Sequence, residues 1–133
     1  MSTFIDTSAF IAVLSRSADE HASAVSTWER LLASDEQLVT SNYVVVETCA
    51  LAQKRAGMSA VRTFLDDVLP VVQVQWVDVA MHADGSRRVL SSSRQGPNIV
   101  DCVSFEVMRQ LGISSAFTFD EHFRRGGFRV LPG

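Results

Sequence analysis

Short β-prone runs alternate with amphipathic helical stretches along this chain, and that alternation constrains the fold more than any other feature. Thr3 to Asp6, Gln37 to Thr40, Val71 to Val77, Ala116 to Phe119 and Phe128 to Leu131 read as strands. Between them apolar residues recur at three- and four-residue intervals, as in Ala22, Val25, Trp28, Leu31 and Leu32, the spacing that gives a helix one apolar face. The spacing predicts helices over 7–14, 19–34, 42–56, 58–69, 78–90 and 98–111, and a short helical turn over 120–125. Gly57 and Gly112 stand at the ends of two of these helices, where a left-handed residue stops the coil, and Pro70 ends the helix that starts at Met58. Parallel strands need long crossovers, which helices supply. The expected architecture is an α/β fold, a three-layer α/β/α sandwich with a mainly parallel central sheet. Sites in such folds form at the carboxyl ends of the strands.

With 133 residues, 47% of them hydrophobic and 20% charged, the chain is expected to fold as one domain over 1–133. No apolar run approaches the 18 or so residues of a membrane span. The start, MSTFIDTSAF, carries an acid where a secretory signal would be basic, so the expected location is cytoplasmic. Cys49 and Cys102 sit in apolar helical contexts without CxxC spacing and read as small reduced core residues. The net charge of -3 argues superficially against a nucleic-acid partner. Carboxylates withdrawn into a metal site would make the remaining surface less acidic. Eleven of the twelve basic residues are Arg, the side chain that grips phosphate bidentately.

Asp6 and Asp120 each fall at the end of a strand and just before a helix. Helix capping alone explains either one. Asp101, third in the helix after Asn98, is also a good cap, yet Ile99, Val100, Cys102 and Val103 around it are apolar. Glu47 is different. It is embedded in YVVVETCALA, a stretch apolar nearly all round and therefore expected to be buried, and the positions three and four residues away are Tyr43, Val44, Ala50 and Leu51. None is a base, and Val44 excludes a capping box. Glu47 needs a distant partner, either an arginine or a cation. A hard divalent ion such as Mg²⁺ or Mn²⁺, bound by oxygens, would account for all four acids at once. Metal-assisted hydrolysis of a phosphodiester is the chemistry such a site supports.

Four segments carry a resemblance: FIDTSAFIAVL at 4–14 with DEHASAV after it, TSNYVVVETCAL at 40–51, NIVDCVSFEVMRQLGI at 98–113 and AFTFDEHFRRGGFRVL at 116–131. In this order and at these separations the sequence resembles the PIN-domain nucleases, most closely the VapC-like ribonuclease toxins of prokaryotic toxin–antitoxin systems. The resemblance implies a Mg²⁺-dependent endoribonuclease, with Mn²⁺ able to substitute. Asp6 and Asp101 would touch the metal directly, Glu47 would bind it or position its water, and Asp120 would complete the cluster. Thr7 matches a helper position beside the first acid. Asn98 departs from the Ser or Thr common three residues before the third acid, but caps as well. The resemblance further implies an RNA substrate, products with a 5′-phosphate and a 3′-hydroxyl, a cognate antitoxin protein and a homodimer.

His21, His82 and His122 are scattered, with no pair at metal or acid–base spacing, and read as solvated or capping residues. Arg87, Arg88, Arg94, Arg124 and Arg125 cluster near the expected strand ends, where they serve either RNA phosphates or ordinary surface charge. SSSRQGP at 91–97 reads as a rim loop next to Asp101, and Trp28 and Trp76 as core residues. An aspartyl-phosphate phosphatase would want a second Asp where Ser8 stands, and a response-regulator receiver would want a late lysine, whereas Lys54 is the sole lysine. An inactive relative that only binds RNA or protein is disfavoured, since clustered acids repel without a cation.

Overall fold

The computed structural model describes residues 1–133. The chain begins with β1 (Ser2–Ile5), α1 (Thr7–Leu14), α2 (His21–Ala33), β2 (Gln37–Ser41), α3 (Asn42–Arg55) and α4 (Met58–Thr63). It continues through β3 (Gln73–Gln75), α5 (Val79–Leu90), α6 (Ile99–Leu111), β4 (Ser115–Phe117), α7 (Glu121–Arg125) and β5 (Arg129–Leu131). The strands lie in the order β3-β2-β1-β4-β5, and every neighbouring pair is parallel. The chain therefore works outward from β1 to β3, then crosses back to β4 and outward again to β5. Right-handed crossovers in those two directions put α1 to α4 on one face and α5 to α7 on the other. The contacts agree: α1 packs on α2 and α3, and α5 packs on α6. The strand order reverses between β1 and β4, which is where an open parallel sheet presents its crevice.

Phe4, Ile5, Val39, Ala116 and Phe117 from the central strands meet Phe10, Phe64 and Phe123 from the flanking helices in one core. Phe10 and Phe64 meet edge to face at 4.9 Å, as do Phe105 and Phe123 at 5.0 Å. Gly85 permits a close approach of α5 to α6: a Cβ there would lie 2.4 Å from Val103 Cγ2 and 3.1 Å from its backbone nitrogen. Gly112 closes α6 with φ 69°, the left-handed stop expected of it. No helix is long and apolar enough to cross a membrane.

Three expectations need correction. The helix predicted over 58–69 is regular only to Thr63. A π turn covers Phe64–Val68 and a 3₁₀ turn Leu69–Val71. Pro70 has no N–H to give, and the widened turn instead joins the Leu69 N–H to the Phe64 carbonyl. The strand predicted over 71–77 shortens to Gln73–Gln75 because its first residue belongs to that 3₁₀ turn. Trp76 is 71% exposed, beyond the edge strand and outside the core; Trp28 packs against the core as expected.

Candidate active site

The register between β1 and β4 builds the site. Ile5 pairs with Phe117, and the Asp6 N–H donates to the Phe117 carbonyl at 3.1 Å. The first residue beyond β1 is thus set beside Thr118, the first beyond β4. Thr118 Oγ1 donates to Asp6 Oδ2 at 2.9 Å, and Ser8 Oγ donates to the same oxygen at 2.9 Å. The Ser8 N–H reaches it at 3.4 Å, so Asp6 does cap α1. The two hydroxyls also tie down the chain beyond β4, accepting from the backbone N–H groups of Phe119 (Ser8 Oγ, 2.9 Å) and Asp120 (Thr118 Oγ1, 3.0 Å). Every side-chain hydrogen bond to Asp6 falls on Oδ2. Oδ1 is left without one.

Asp101 comes to the same place on the first turn of α6. Its N–H donates to Asn98 Oδ1 at 2.9 Å while its Oδ2 accepts from the Asn98 N–H at 3.1 Å, a reciprocal capping box. Asp120 caps α7, with Oδ1 accepting from the His122 N–H at 2.9 Å. Capping and clustering therefore coexist in all three aspartates. Burial pushes the Asp6 carboxyl above its ordinary range, against the pull of the Ser8 and Thr118 hydrogen bonds. Burial, then the neighbouring Asp6 charge, push Asp101 up to about 7. These are the marks of like charges gathered in a poorly hydrated place.

Asp6, Glu47, Asp101 and Asp120 line one cavity of about 380 Å³, with Thr7 and Arg55 also in its wall. The structure thus brings together all four predicted acids and the predicted helper. One premise fails. The helix carrying Glu47 is not buried all round, because Val46 is 69% exposed and Glu47 is itself partly exposed at the cavity. The other premise holds, since none of the ion pairs includes Glu47.

Other residues were misplaced or missed by reading the sequence. None of the five clustered arginines lines the cavity. Arg87 pairs with Asp84, Arg88 with Glu106 at 2.6 Å and Arg124 with Glu121 at 3.9 Å. Arg55 is the base that does reach it. His122 is no solvated surface residue: its Nδ1 lies 2.9 Å from Asp120 Oδ1 and 3.8 Å from Asp101 Oδ2. The available signal was FDEHF, in which the histidine follows a capping acid by two residues and is drawn back over it. His21 is likewise engaged, through Nδ1 to the Ala12 carbonyl at 2.8 Å. Ser8 and Thr118 gave no periodic or charge signal. Burial raises the pKa of both thiols, in keeping with inert cysteines.

The donor set suits a hard divalent cation. Four carboxylates line the cavity, the donor atoms of Asp101 and Asp120 lie within 4.8 Å of one another and of His122, and Thr7 Oγ1, in a residue 4% exposed, has no hydrogen-bond partner. A buried hydroxyl without a partner is costly unless something else satisfies it.

Comparison with known proteins follows the same lines. The profile of the PIN domain family matches residues 3–129, and the chain belongs to that family. Within it the chain is VapC-like. It is 35% identical over 128 residues, 94% of each chain, to the 23S rRNA-specific endonuclease VapC20 of Mycobacterium tuberculosis. The crystal structure of that relative, a Sarcin-Ricin loop cleaving toxin, matches with a TM-score of 0.85 and 29% identity over 95% of each chain. FitAcB from Neisseria gonorrhoeae shares the fold at a TM-score of 0.69 and 16% identity, over 98% of this chain and 96% of that one.

Proposed function

We propose that this chain is a metal-dependent endoribonuclease, a single nuclease domain over 1–133 that serves as the toxin of a type II toxin–antitoxin pair. The observation that carries the reading is the convergence of Asp6, Glu47, Asp101 and Asp120 on one cavity at the point where the strand order reverses. The likeness to a 23S rRNA-specific endonuclease supports RNA as the substrate and makes ribosomal RNA the first to try.

Asp6 and Asp101 would hold Mg²⁺, or Mn²⁺ in its place, with Glu47 binding the ion or positioning its water and Asp120 completing the cluster. A cation so held supplies Lewis acidity, activating a water for attack on phosphorus and steadying the leaving oxygen. The chain's own groups prepare for this. Ser8 and Thr118 saturate Asp6 Oδ2 and so orient the carboxylate with Oδ1 free to ligate. The Asn98 capping box orients Asp101 in the same way. Arg55, alone among bases in the wall, is suited to receive a phosphate of the RNA backbone. Hydrolysis by this route leaves a 5′-phosphate and a 3′-hydroxyl.

An antitoxin and a second copy of the chain are the partners in this reading. Val46, Trp76 and Val79 are 69%, 71% and 87% exposed, and the Val77 N–H donates to Asn42 Oδ1 at 2.7 Å, which joins the segments that carry them. That apolar surface supports a protein partner. The deciding assay incubates purified protein with assorted RNAs, ribosomal RNA included, in Mg²⁺ or Mn²⁺. Cleavage is expected, and EDTA or Asp6→Asn should abolish it. Cleavage that persisted unchanged under either would overturn the mechanism. RNA bound but left intact by the metal-loaded protein would favour a binding role.

A further inference from the structure

Three buried side-chain polar atoms lack a hydrogen-bond partner: Thr7 Oγ1, Thr48 Oγ1 and His122 Nδ1. Two of them adjoin the acid cluster. The histidine is the more informative, because its other nitrogen is committed. His122 Nε2 lies 3.0 Å from the Gln95 carbonyl oxygen. A carbonyl only accepts, so Nε2 carries the proton. In the neutral ring Nδ1 then presents a lone pair, and it does so in a place where carboxylate oxygens already stand at 2.9 and 3.8 Å. The contact with Asp120 lacks hydrogen-bond geometry, although the ring is only 24% exposed and Nδ1 itself is buried. Electron pairs crowded in this way require a positive centre among them, either a proton or a metal ion.

The spacing suits the metal. Around an octahedral ion with donors at roughly 2.0 to 2.1 Å, adjacent donors are separated by about 3.0 Å and opposite ones by about 4.2 Å. His122 Nδ1 stands 2.9 Å from Asp120 Oδ1 and 3.8 Å from Asp101 Oδ2, within that range, and the three residues form one group of donor atoms. Thr7 Oγ1, in the wall of the cavity that Asp101 and Asp120 also line, is another buried donor atom without a partner.

We infer that His122, through Nδ1, is a nitrogen ligand to a divalent cation shared with Asp101 and Asp120, and that it biases the site toward Mn²⁺ over Mg²⁺. Mn²⁺ shares the oxygen preference of Mg²⁺, but it is a first-row transition ion, of the series that takes nitrogen as well as oxygen donors, so replacing an oxygen by an imidazole nitrogen penalises Mg²⁺ more. The Nε2–H bond to the Gln95 carbonyl supports that role, since a ligating histidine commonly anchors its second nitrogen on a carbonyl or carboxylate. The inference rests on the metal-dependent reading proposed above, and its test separates the two.

The test is pulsed electron paramagnetic resonance on the full chain loaded with Mn²⁺, with binding of Mn²⁺ and Mg²⁺ measured by calorimetry. Bound Mn²⁺ should show nitrogen modulation that changes from ¹⁴N to ¹⁵N character when histidine alone is ¹⁵N-labelled. His122→Asn should abolish it and weaken Mn²⁺ binding about tenfold, with a smaller effect on Mg²⁺. The labelling experiment uses the unaltered protein, so it stands even if the variant folds poorly. Mn²⁺ held without histidine nitrogen modulation, or modulation that survives His122→Asn, would overturn the assignment. Failure of the unaltered chain to bind either ion would instead overturn the metal-dependent reading beneath it.

Discussion

Thr118 Oγ1 donates to Asp6 Oδ2 at 2.9 Å, joining two residues 112 positions apart in the chain. The bond follows from the pairing of Ile5 with Phe117 and gives the first acid of the site its orientation.

Thr118→Val keeps the shape and removes the hydroxyl. The Asp120 N–H loses its acceptor and Asp6 loses a donor. The variant is expected to lose about 1 to 3 kcal/mol of metal-free stability and to cleave RNA about tenfold more slowly or worse. Thr118→Ser should recover much of both. Denaturant unfolding in EDTA and single-turnover cleavage rates measure the two effects.

Asp6→Asn should act differently on activity and on stability. Cleavage is expected to fall by at least a hundredfold, about 2.7 kcal/mol or more in the barrier. Metal-free stability should hold or rise, because a buried charge facing Asp101 and Asp120 is removed. A large loss of stability in EDTA would mean that capping α1 is the main work of this residue.

The pH dependence has a definite sign. Burial and the Asp6 charge raise Asp101 from 3.8 to about 7, so the folded state favours the protonated carboxyl. Asp101 therefore contributes stability to the metal-free protein that is fully present below about pH 4 and is lost as the pH climbs through about 7, with Asp6, also raised, acting in the same direction. Metal favours the ionised carboxylates and should flatten that slope, releasing protons when it binds near pH 6. Thermal unfolding scans across this window, with EDTA and with Mn²⁺, test the point.

Gly85→Ala tests the packing of α5 on α6. Helix propensity alone would favour alanine by up to about 1 kcal/mol. The added methyl would lie 2.4 Å from Val103 Cγ2, and the valine backbone is fixed. Overpacking should prevail, with a net loss of about 1 to 2 kcal/mol. Val103→Ala in the same chain should return part of it, as a double-mutant cycle would record.

The parts of the fold and site that could be read from the sequence are those with local causes. Asp6 and Asp120 were legible because a β-prone run ends beside each, and Asn98 and Gly112 because caps and stops are short-range devices. Glu47 was found by a partly mistaken route. Its apolar neighbours suggested burial, yet Val46 and Ala50 face outward, and only the lack of a base nearby was sound. An apolar helix surface reserved for a partner has the same pattern as one turned to the core. Trp76 was misjudged because a large aromatic was assigned to the core by its type alone, whereas it lies just beyond the edge strand β3 and is exposed.

Long-range causes stayed hidden. Nothing in residues 118 or 8 alone shows that their hydroxyls meet at one carboxylate, since the register of β1 against β4 decides it. The π turn at Phe64–Val68 depends on how Pro70 is accommodated against the core, where Phe64 and Val68 are buried. His122 was dismissed because spacing was sought between histidines, whereas its neighbours are carboxylates, one at the cap of its own helix and one brought in by α6.

The adjacency of β1 and β4 also bears on the birth of the protein. A nascent chain synthesised as far as α5 carries Asp6 and Glu47 but has neither Asp101 nor Thr118. Its sheet has its first three strands and lacks the neighbour that aims Asp6. On the function proposed above, a chain at that stage could not yet cut RNA, because the acid cluster is assembled only when residues 98–131 have followed and β4 pairs alongside β1.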